Sequence, residues 1–326
     1  MTIKEQILNI LESAKGSFVS GEEIAERLSV SRNAVWKGIK SLKADGHIIT
    51  AVTNKGYCLS ENSSIFTAQS VYANLSSALR EKLVISVVPE VGSTNTELKA
   101  LAEKGGADGT VLIAVSQTAG RGRLGRSFYS PKDTGLYMSV LLRPDFSASE
   151  ALNITACAAV AAARAIDKTA DVETQIKWVN DIYLGGKKVC GILTEASIDF
   201  ESGGLNYAVL GIGINLNTEV FPDELKNIAA CVSTDKTDLR SFVATEFLEN
   251  FFGYYNNLSK HEFLSEYRSR SLLTGKEITF VRGNDIFDGT VTGIDDEMRL
   301  VVTLADGKEA VFSSGEVQLV KGDLVK

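Results

Sequence analysis

Three short segments of this 326-residue chain hold residues whose types and spacing suit chemistry. The first is Gln117-Thr118-Ala119-Gly120-Arg121-Gly122-Arg123-Leu124-Gly125-Arg126, where glycines let the backbone approach a ligand and three arginines converge on it. Guanidinium groups grip phosphate or carboxylate through paired, charge-assisted hydrogen bonds worth roughly 1.5–3 kcal/mol each. Such a loop wants anions. No G-K-[ST] follows it, so it is not a Walker A loop, and the later acid of a dinucleotide fingerprint is missing. The second segment, Lys177-Trp178-Val179-Asn180-Asp181, closes a strand on which Ile176 and Trp178 face one way and Lys177 the other. The third, Ser93-Thr94-Asn95, lies between a strand and a helix and offers partners to a neutral polar ligand head. Each also has a plainer reading: a solvated basic loop, a surface lysine laying its stem along apolar neighbours, and simple helix capping.

The elements that must position these segments follow from periodicity. Residues 3–14 predict a helix with Ile3, Ile7, Ile10 and Leu11 at helical spacing. Ser20-Gly21-Glu22-Glu23 predicts a capping box opening a second helix with Ile24, Ala25 and Leu28 inward. A third helix begins at Ser31, with Val35, Ile39 and Leu42 inward, and residues 47–59 read as a hairpin turning at Thr53-Asn54-Lys55-Gly56. Three helices and a wing make a winged helix-turn-helix.

The polar stretch Ser60 to Ser64 suits a linker. Strands are then expected at 83–88, 111–116, 136–143, 175–178, 188–198 and 207–215, with a turn at Ser202-Gly203-Gly204. Helices are expected from Thr94, where Glu97 suggests another capping box, and at 150–166, 238–258 and 260–270. Strands joined by short turns argue for an α+β layer over a doubly wound parallel sheet. Short strands at 277–282, 287–295, 300–304 and 308–313, with turns at Gly283-Asn284 and Asp306-Gly307, predict a small SH3-like β-barrel. The expected units are 1–61, 62–271 and 272–326.

Composition narrows the class. No run of about 18 apolar residues appears, and the amino terminus lacks a basic flank followed by an apolar stretch, so secretion and membrane insertion are not expected. Cys58, Cys157, Cys190 and Cys231 lie far apart without a C-x-x-C pair, which argues against a zinc site and suits a reducing cytoplasm. The chain carries a net charge of -7, but residues 1–60 hold eight Lys/Arg against six Asp/Glu, a net of +2, leaving -9 for the rest. Nucleic-acid contact therefore belongs to the front of the chain. On the third helix, Ser31, Arg32, Asn33, Trp36, Lys37 and Lys40 can face a major groove, and Lys55 at the wing tip can reach a phosphate. One head offers few charges, so useful affinity calls for a dimer on a two-half operator.

Taken in order, Ser93-Thr94-Asn95, Gln117 with the Gly120–Arg126 loop, Lys177-Trp178-x-Asn180-Asp181, Gly191-Ile192-Leu193-x-Glu195 and Gly211-Ile212-Gly213-Ile214-Asn215 resemble the biotin protein ligases. With the winged head and the β-rich end, the resemblance covers essentially the whole chain and points to the bifunctional bacterial form that also represses biotin genes. It implies that biotin and ATP, with Mg²⁺ on the phosphates, yield biotinyl-5′-AMP, and that biotin then passes to a lysine of a biotin carboxyl carrier domain. It implies Lys177, Arg121 and Arg123 as catalytic residues. Ser93, Thr94, Asn95, Gln117, Gly120, Gly122, Gly191, Gly211 and Gly213 would join them around biotin, the glycines leaving room for its rings. Arg123, Arg126, Phe128, Asn180 and Asn215 would hold the nucleotide, with Phe128 against adenine, and no protein metal site is expected. The arginine loop would be a lid, and the adenylate a corepressor that promotes a homodimer. Asp181 is a candidate base for the transfer step. Where the family has proline this chain has Val179, which is expected to relax the turn beside Lys177. A lipoate ligase would need an R-R-x-S-G-G-G-type loop, which is absent; a ligand-sensing transcription factor with lost or weak ligase activity is the alternative from another class.

Overall fold

The computed structural model describes residues 2–61, 63, 65–144, 151–198, 204–234, 238–282, 285–313 and 316–319. The expected helix start at Glu150, the turns at 202–203 and 283–284, and part of the 60–64 linker lie outside them.

The head is built as its periodicity dictates. Helices α1 (Ile3–Ser13), α2 (Gly21–Leu28) and α3 (Arg32–Ala44) bury Ile7, Leu11, Ile24, Val35, Ile39 and Leu42 against one another. Ser20 caps α2 by accepting from Glu23 N, but the reciprocal half of the expected box is absent because the Glu23 carboxylate pairs with Arg27. The wing is an antiparallel pair, β1 (Ile49–Val52) and β2 (Gly56–Leu59). It starts two residues later than expected: His47 N–H closes α3 on Leu42 O, and Ile48 N–H donates to Ser63 Oγ. Gly56 is required at φ +102, where a Cβ would stand 2.1 Å from Val19 O.

Two short helices, α4 (Ala68–Tyr72) and α5 (Ser77–Lys82), lead into a seven-stranded sheet. Its strands are β3 (Val84–Val91), β4 (Thr110–Gln117), β5 (Gly135–Leu142), β6 (Gln175–Lys177), β7 (Asp181–Leu184), β8 (Lys187–Ile198) and β9 (Leu205–Asn215). The order is β3-β4-β5-β9-β8-β7-β6, with β3 and β4 parallel across helix α6 (Thr94–Glu103) and every other pair antiparallel. The sheet is thus the expected α+β layer.

Side-chain alternation divides its two faces. Met138, Val140, Ile176, Trp178, Cys190, Ile192, Leu210, Ile212 and Ile214 join one core with helices α7 (Ala151–Ala170), α8 (Arg240–Tyr255) and α9 (Leu264–Ser269). The opposite parity packs Leu141 and Val209 under Leu98 of α6. Ser139, Lys177, Gly191, Leu193, Glu195, Gly211 and Gly213 share that parity, so the site lies on the α6 face.

The last unit is antiparallel throughout: β10 (Glu277–Arg282), β11 (Asp285–Ile294), β12 (Leu300–Leu304), β13 (Glu309–Phe312) and β14 (Glu316–Leu319), ordered β13-β12-β11-β10-β14. Phe312 of β13 lies 3.9 Å, centroid to centroid, from Phe280 of β10, so the sheet curls strongly on itself. Among the described residues no ladder joins β13 to β14 to complete the barrel. This unit, together with α9 and the segment leading out of it, clamps the strand that carries Lys177. Ile176 exchanges backbone bonds with Arg270 and Leu272, Trp178 Nε1 donates to Met298 O at 2.9 Å, and Tyr267 Oη donates to Val179 O at 3.0 Å.

Candidate active site

A cavity of about 340 Å³ opens on the α6 face of the sheet. Of the expected residues, Ser93, Thr94, Asn95, Gln117, Arg121, Gly122, Arg123, Arg126, Phe128, Lys177, Asn180, Gly191, Gly211, Gly213 and Asn215 all line it. Gly120 does not. A Cβ there would meet Phe128 O at 2.4 Å and Ser130 Oγ at 2.7 Å, so this glycine serves the closure of the loop on itself.

One end of the cavity is neutral and polar. Ser93 is the cap position of α6 but makes no side-chain capping bond, and the box expected between Thr94 and Glu97 is not formed. Thr94 and Asn95 are buried and turn toward the sheet instead. Thr94 N–H donates to Gln117 Oε1 at 2.9 Å, and Gln117 Nε2 donates to Ser130 Oγ at 3.0 Å. Asn95 Nδ2 donates to Glu195 Oε2 at 3.0 Å and to Leu193 O at 3.3 Å, while Ser139 Oγ sits 2.6 Å from Asn95 Oδ1 and 2.7 Å from Thr94 Oγ1.

The arginines do not converge on a single point. Residues 120–128 form a tight turn closed by Gly122 N–H to Arg126 O and Phe128 N–H to Gly120 O. From it Arg121 pairs with Glu195 at 3.3 Å, and Arg123 Nη1 donates to Asn180 Oδ1 at 3.0 Å. The loop thereby spans the mouth. The expected clearance over the glycines also differs: a Cβ on Gly213 would lie 2.5 Å from the Phe128 ring, and one on Gly211 would lie 2.1 Å from Asn95 Oδ1. Their missing side chains make room for Phe128 and Asn95.

Lys177 is half-buried, its Nζ 5.8 Å from the Tyr183 ring centroid. Burial, helped by the nearby Asp181 charge, pushes the Tyr183 phenol up to about 12, so it stays protonated. The Trp178–Val179 peptide that follows Lys177 is cis. Asp181 forms an ion pair with Lys188 at 2.7 Å. Toward the far end, Asn215 donates from Nδ2 to Ala230 O while its buried Oδ1 has no hydrogen-bond partner among the described residues. Phe221, Leu225, Ile228 and Ala229 form the wall there.

The central sheet, residues 87–215, matches the model of the biotin/lipoate A/B protein ligase family; residues 4–58 match an HTH domain, and 273–320 match the biotin protein ligase C-terminal domain. The bifunctional ligase/repressor BirA of Bacillus subtilis is 34% identical over 96% of this chain and 98% of its own. The chain belongs to the bifunctional biotin ligase/repressor family. A biotin–[acetyl-CoA-carboxylase] ligase of Mycobacterium tuberculosis is 32% identical over 74% of this chain and 93% of its own. Among solved structures, the biotin protein ligase of Aquifex aeolicus in complex with biotin and ATP aligns with TM-score 0.61 and 28% identity, covering 72% of this chain and 99% of that one.

A ligase/repressor needs a surface beyond the pocket, and the head offers one. Arg32, Asn33, Trp36, Lys37 and Lys40 are exposed on α3, with Lys40 Nζ 5.4 Å from the Trp36 ring centroid. Ser31 is exposed but its hydroxyl caps α3, and Lys55 sits at the wing turn, 5.9 Å from the Phe18 ring centroid. Asp45, at the C-terminal end of α3, is bound to Lys4. Residues of the active site that sequence reasoning did not single out are Ser130, Ser139, Tyr183, Lys188 and the 221–229 wall. Glu195 was visible only as part of its glycine motif.

Proposed function

We propose that this chain joins biotin to ATP, releasing pyrophosphate, and passes the biotinyl group to a lysine of a biotin carboxyl carrier domain. The observation that carries the reading is one cavity with a neutral polar end (Ser93, Thr94, Asn95, Gln117) and a cationic end (Lys177, Arg123, Arg126). An acid with an uncharged head fits the first, and its carboxylate with a nucleotide phosphate fits the second.

In the first step a carboxylate oxygen of biotin attacks the α-phosphorus of ATP, the bond to the bridging oxygen breaks, and pyrophosphate leaves. Two anions must meet, so a fixed cation between them stabilises the charge that develops. Lys177 is assigned that place, with Arg121 and Arg123 released from Glu195 and Asn180 to neutralise the rest. Mg²⁺ enters with ATP as part of the substrate, carried on its phosphates. Asn180, Arg126, Phe128 and Asn215 are assigned to the nucleotide, and the unpartnered Asn215 Oδ1 suits an N–H or hydroxyl donor. In the second step the acceptor amine attacks the acyl carbon, AMP leaves, and the amine loses a proton. The loop over the mouth shields the anhydride from water.

We further assign residues 1–61 to operator binding through Arg32, Asn33, Trp36, Lys37, Lys40 and Lys55, residues 62–271 to ligation and 272–326 to support. Biotinyl-5′-AMP acts as corepressor and promotes a homodimer. The reading places the protein in the cytoplasm, which four free cysteines suit. The test is incubation with labelled biotin, ATP and a carrier domain, alongside sedimentation and operator retention. Amide-linked label and ligand-dependent dimerisation are expected; ligand-dependent operator retention with no label would select a sensor without catalysis.

A further inference from the structure

The steps proposed for adenylation and transfer assign Glu195 no task, yet its carboxylate gathers three partners behind the polar end of the cavity. It accepts from Asn95 Nδ2 and from Lys99 Nζ, and pairs with Arg121. Burial pushes its pKa up, but the hydrogen bonds from Asn95 and Lys99 and the charges of Lys99 and Arg121 outweigh that and hold it below the usual carboxylate range. It is therefore a permanent acceptor at neutral pH.

A chain of consequences follows from that one fixed acceptor. Both partners on the Nδ2 side of Asn95, Glu195 Oε2 and Leu193 O, can only accept, so the amide must present its oxygen to Ser139. Ser139 and Thr94 then have two hydroxyl protons for three contacts: Ser139 to Asn95 Oδ1 at 2.6 Å, Ser139 to Thr94 at 2.7 Å, and Thr94 to Gln117 Oε1 at 3.2 Å. Asn95 Oδ1 can only accept, so it takes the Ser139 proton. The 2.7 Å contact then needs the Thr94 proton, because two lone pairs that close would repel. Gln117 Oε1 stays satisfied by Thr94 N–H at 2.9 Å. Thr94 Oγ1 is left on the cavity wall with lone pairs only.

We propose that Glu195 and Ser139 are positioning residues that fix the hydrogen-bond polarity of the ligand-head pocket, so that Thr94 Oγ1 meets the ligand purely as an acceptor. The proposal rests on the biotin reading of the cavity, since biotin's ureido ring brings N–H donors there. A ring carrying oxygen in place of that N–H would set lone pairs against lone pairs in a dry site.

The test measures Kd by calorimetry for biotin and for the two cyclic carbamates in which one or the other ureido N–H is a ring oxygen. The unsubstituted chain should bind one of the carbamates at least about 100-fold more weakly than biotin, because a buried polar partner is left unmatched. Ser139→Ala frees the Thr94 proton and should reduce that ratio about tenfold or more. Glu195→Gln should reduce it as well, since an amide can turn Asn95 over. A change in fold stability alone would move both ligands together and leave the ratio in place. The proposal is overturned if the unsubstituted chain binds both carbamates as well as biotin, or if both variants keep biotin binding with an unchanged ratio. Absence of biotin binding by the unsubstituted chain overturns the underlying biotin reading itself, an outcome told apart because no ratio then exists.

Discussion

Gly211→Ala puts the architecture of the polar end to a quantitative trial. Gly211 stands opposite Ser139 on β5 and Leu193 on β8, and Asn95 lies directly over it. A Cβ there would stand 2.1 Å from Asn95 Oδ1, 2.8 Å from Cγ and 3.1 Å from Nδ2. Asn95 is only 4% exposed, so it cannot lean away and keep its bonds. Expelling it breaks the contacts to Ser139, Glu195 and Leu193. At about 1 kcal/mol net per bond, with more where a buried group is orphaned, the loss is about 2–4 kcal/mol. For a domain of this size that lowers Tm by roughly 6–12 °C. Calorimetric melting of the full chain reads it, and a biotin titration should show weakened binding. In an Asn95→Ala background the side chain ends before it meets the new methyl, so the same substitution should cost under about 1 kcal/mol. Equal destabilisation in both backgrounds would refute the reasoning.

Three further outcomes are expected. Lys177→Met should lower biotin-dependent ATP–pyrophosphate exchange about 10²–10³-fold, as removal of a preorganised charge stabiliser does, and unchanged exchange would remove Lys177 from the chemistry. Burial lowers the His47 pKa, with Lys4 and Lys15 adding to the effect and Asp45 opposing it, so the fold favours neutral imidazole. Stability of the head should therefore be full above the unfolded value of about 6.5 and fall as pH drops below it toward the lowered folded value; denaturant midpoints for His47→Gln should lack that slope. Lys37→Ala and Lys40→Ala should each flatten the log Kd against log salt line for operator DNA by about 0.9 per lost phosphate contact, measured by anisotropy.

How much of this was legible in the sequence depended on the range of the interactions involved. The helices of the head could be read because each advertises its buried stripe locally, although Ile3 at the start of α1 is exposed and Leu8 is buried in its place. In the ligase unit the long strands were legible from apolar runs, but Asp181–Leu184 and the helices at 68–72 and 77–82, like Glu316–Leu319 in the last unit, are too short to show a period. The site residues came through as motifs wherever glycine or arginine marked them. Ser139 carried no such mark: it reads as one polar residue in an apolar strand, and it gains its task only when register sets it against Gly211 beneath Asn95. The directions of the arginines were equally invisible, because Glu195 and Asn180, which hold Arg121 and Arg123, lie far along the chain.

The clamp on the Lys177 strand also bears on solubility. That strand is the last of the seven, and a sheet's outermost strand offers unpaired backbone groups to any passing chain. Here Arg270 and Leu272 occupy that edge, and the Trp178 indole is sealed by Met298 and lies 6.3 Å, centroid to centroid, from Phe280. A ligase shortened to residues 62–271 would lose Leu272 from that edge and Met298 and Phe280 from the indole, and would be expected to self-associate before its catalytic competence could be measured.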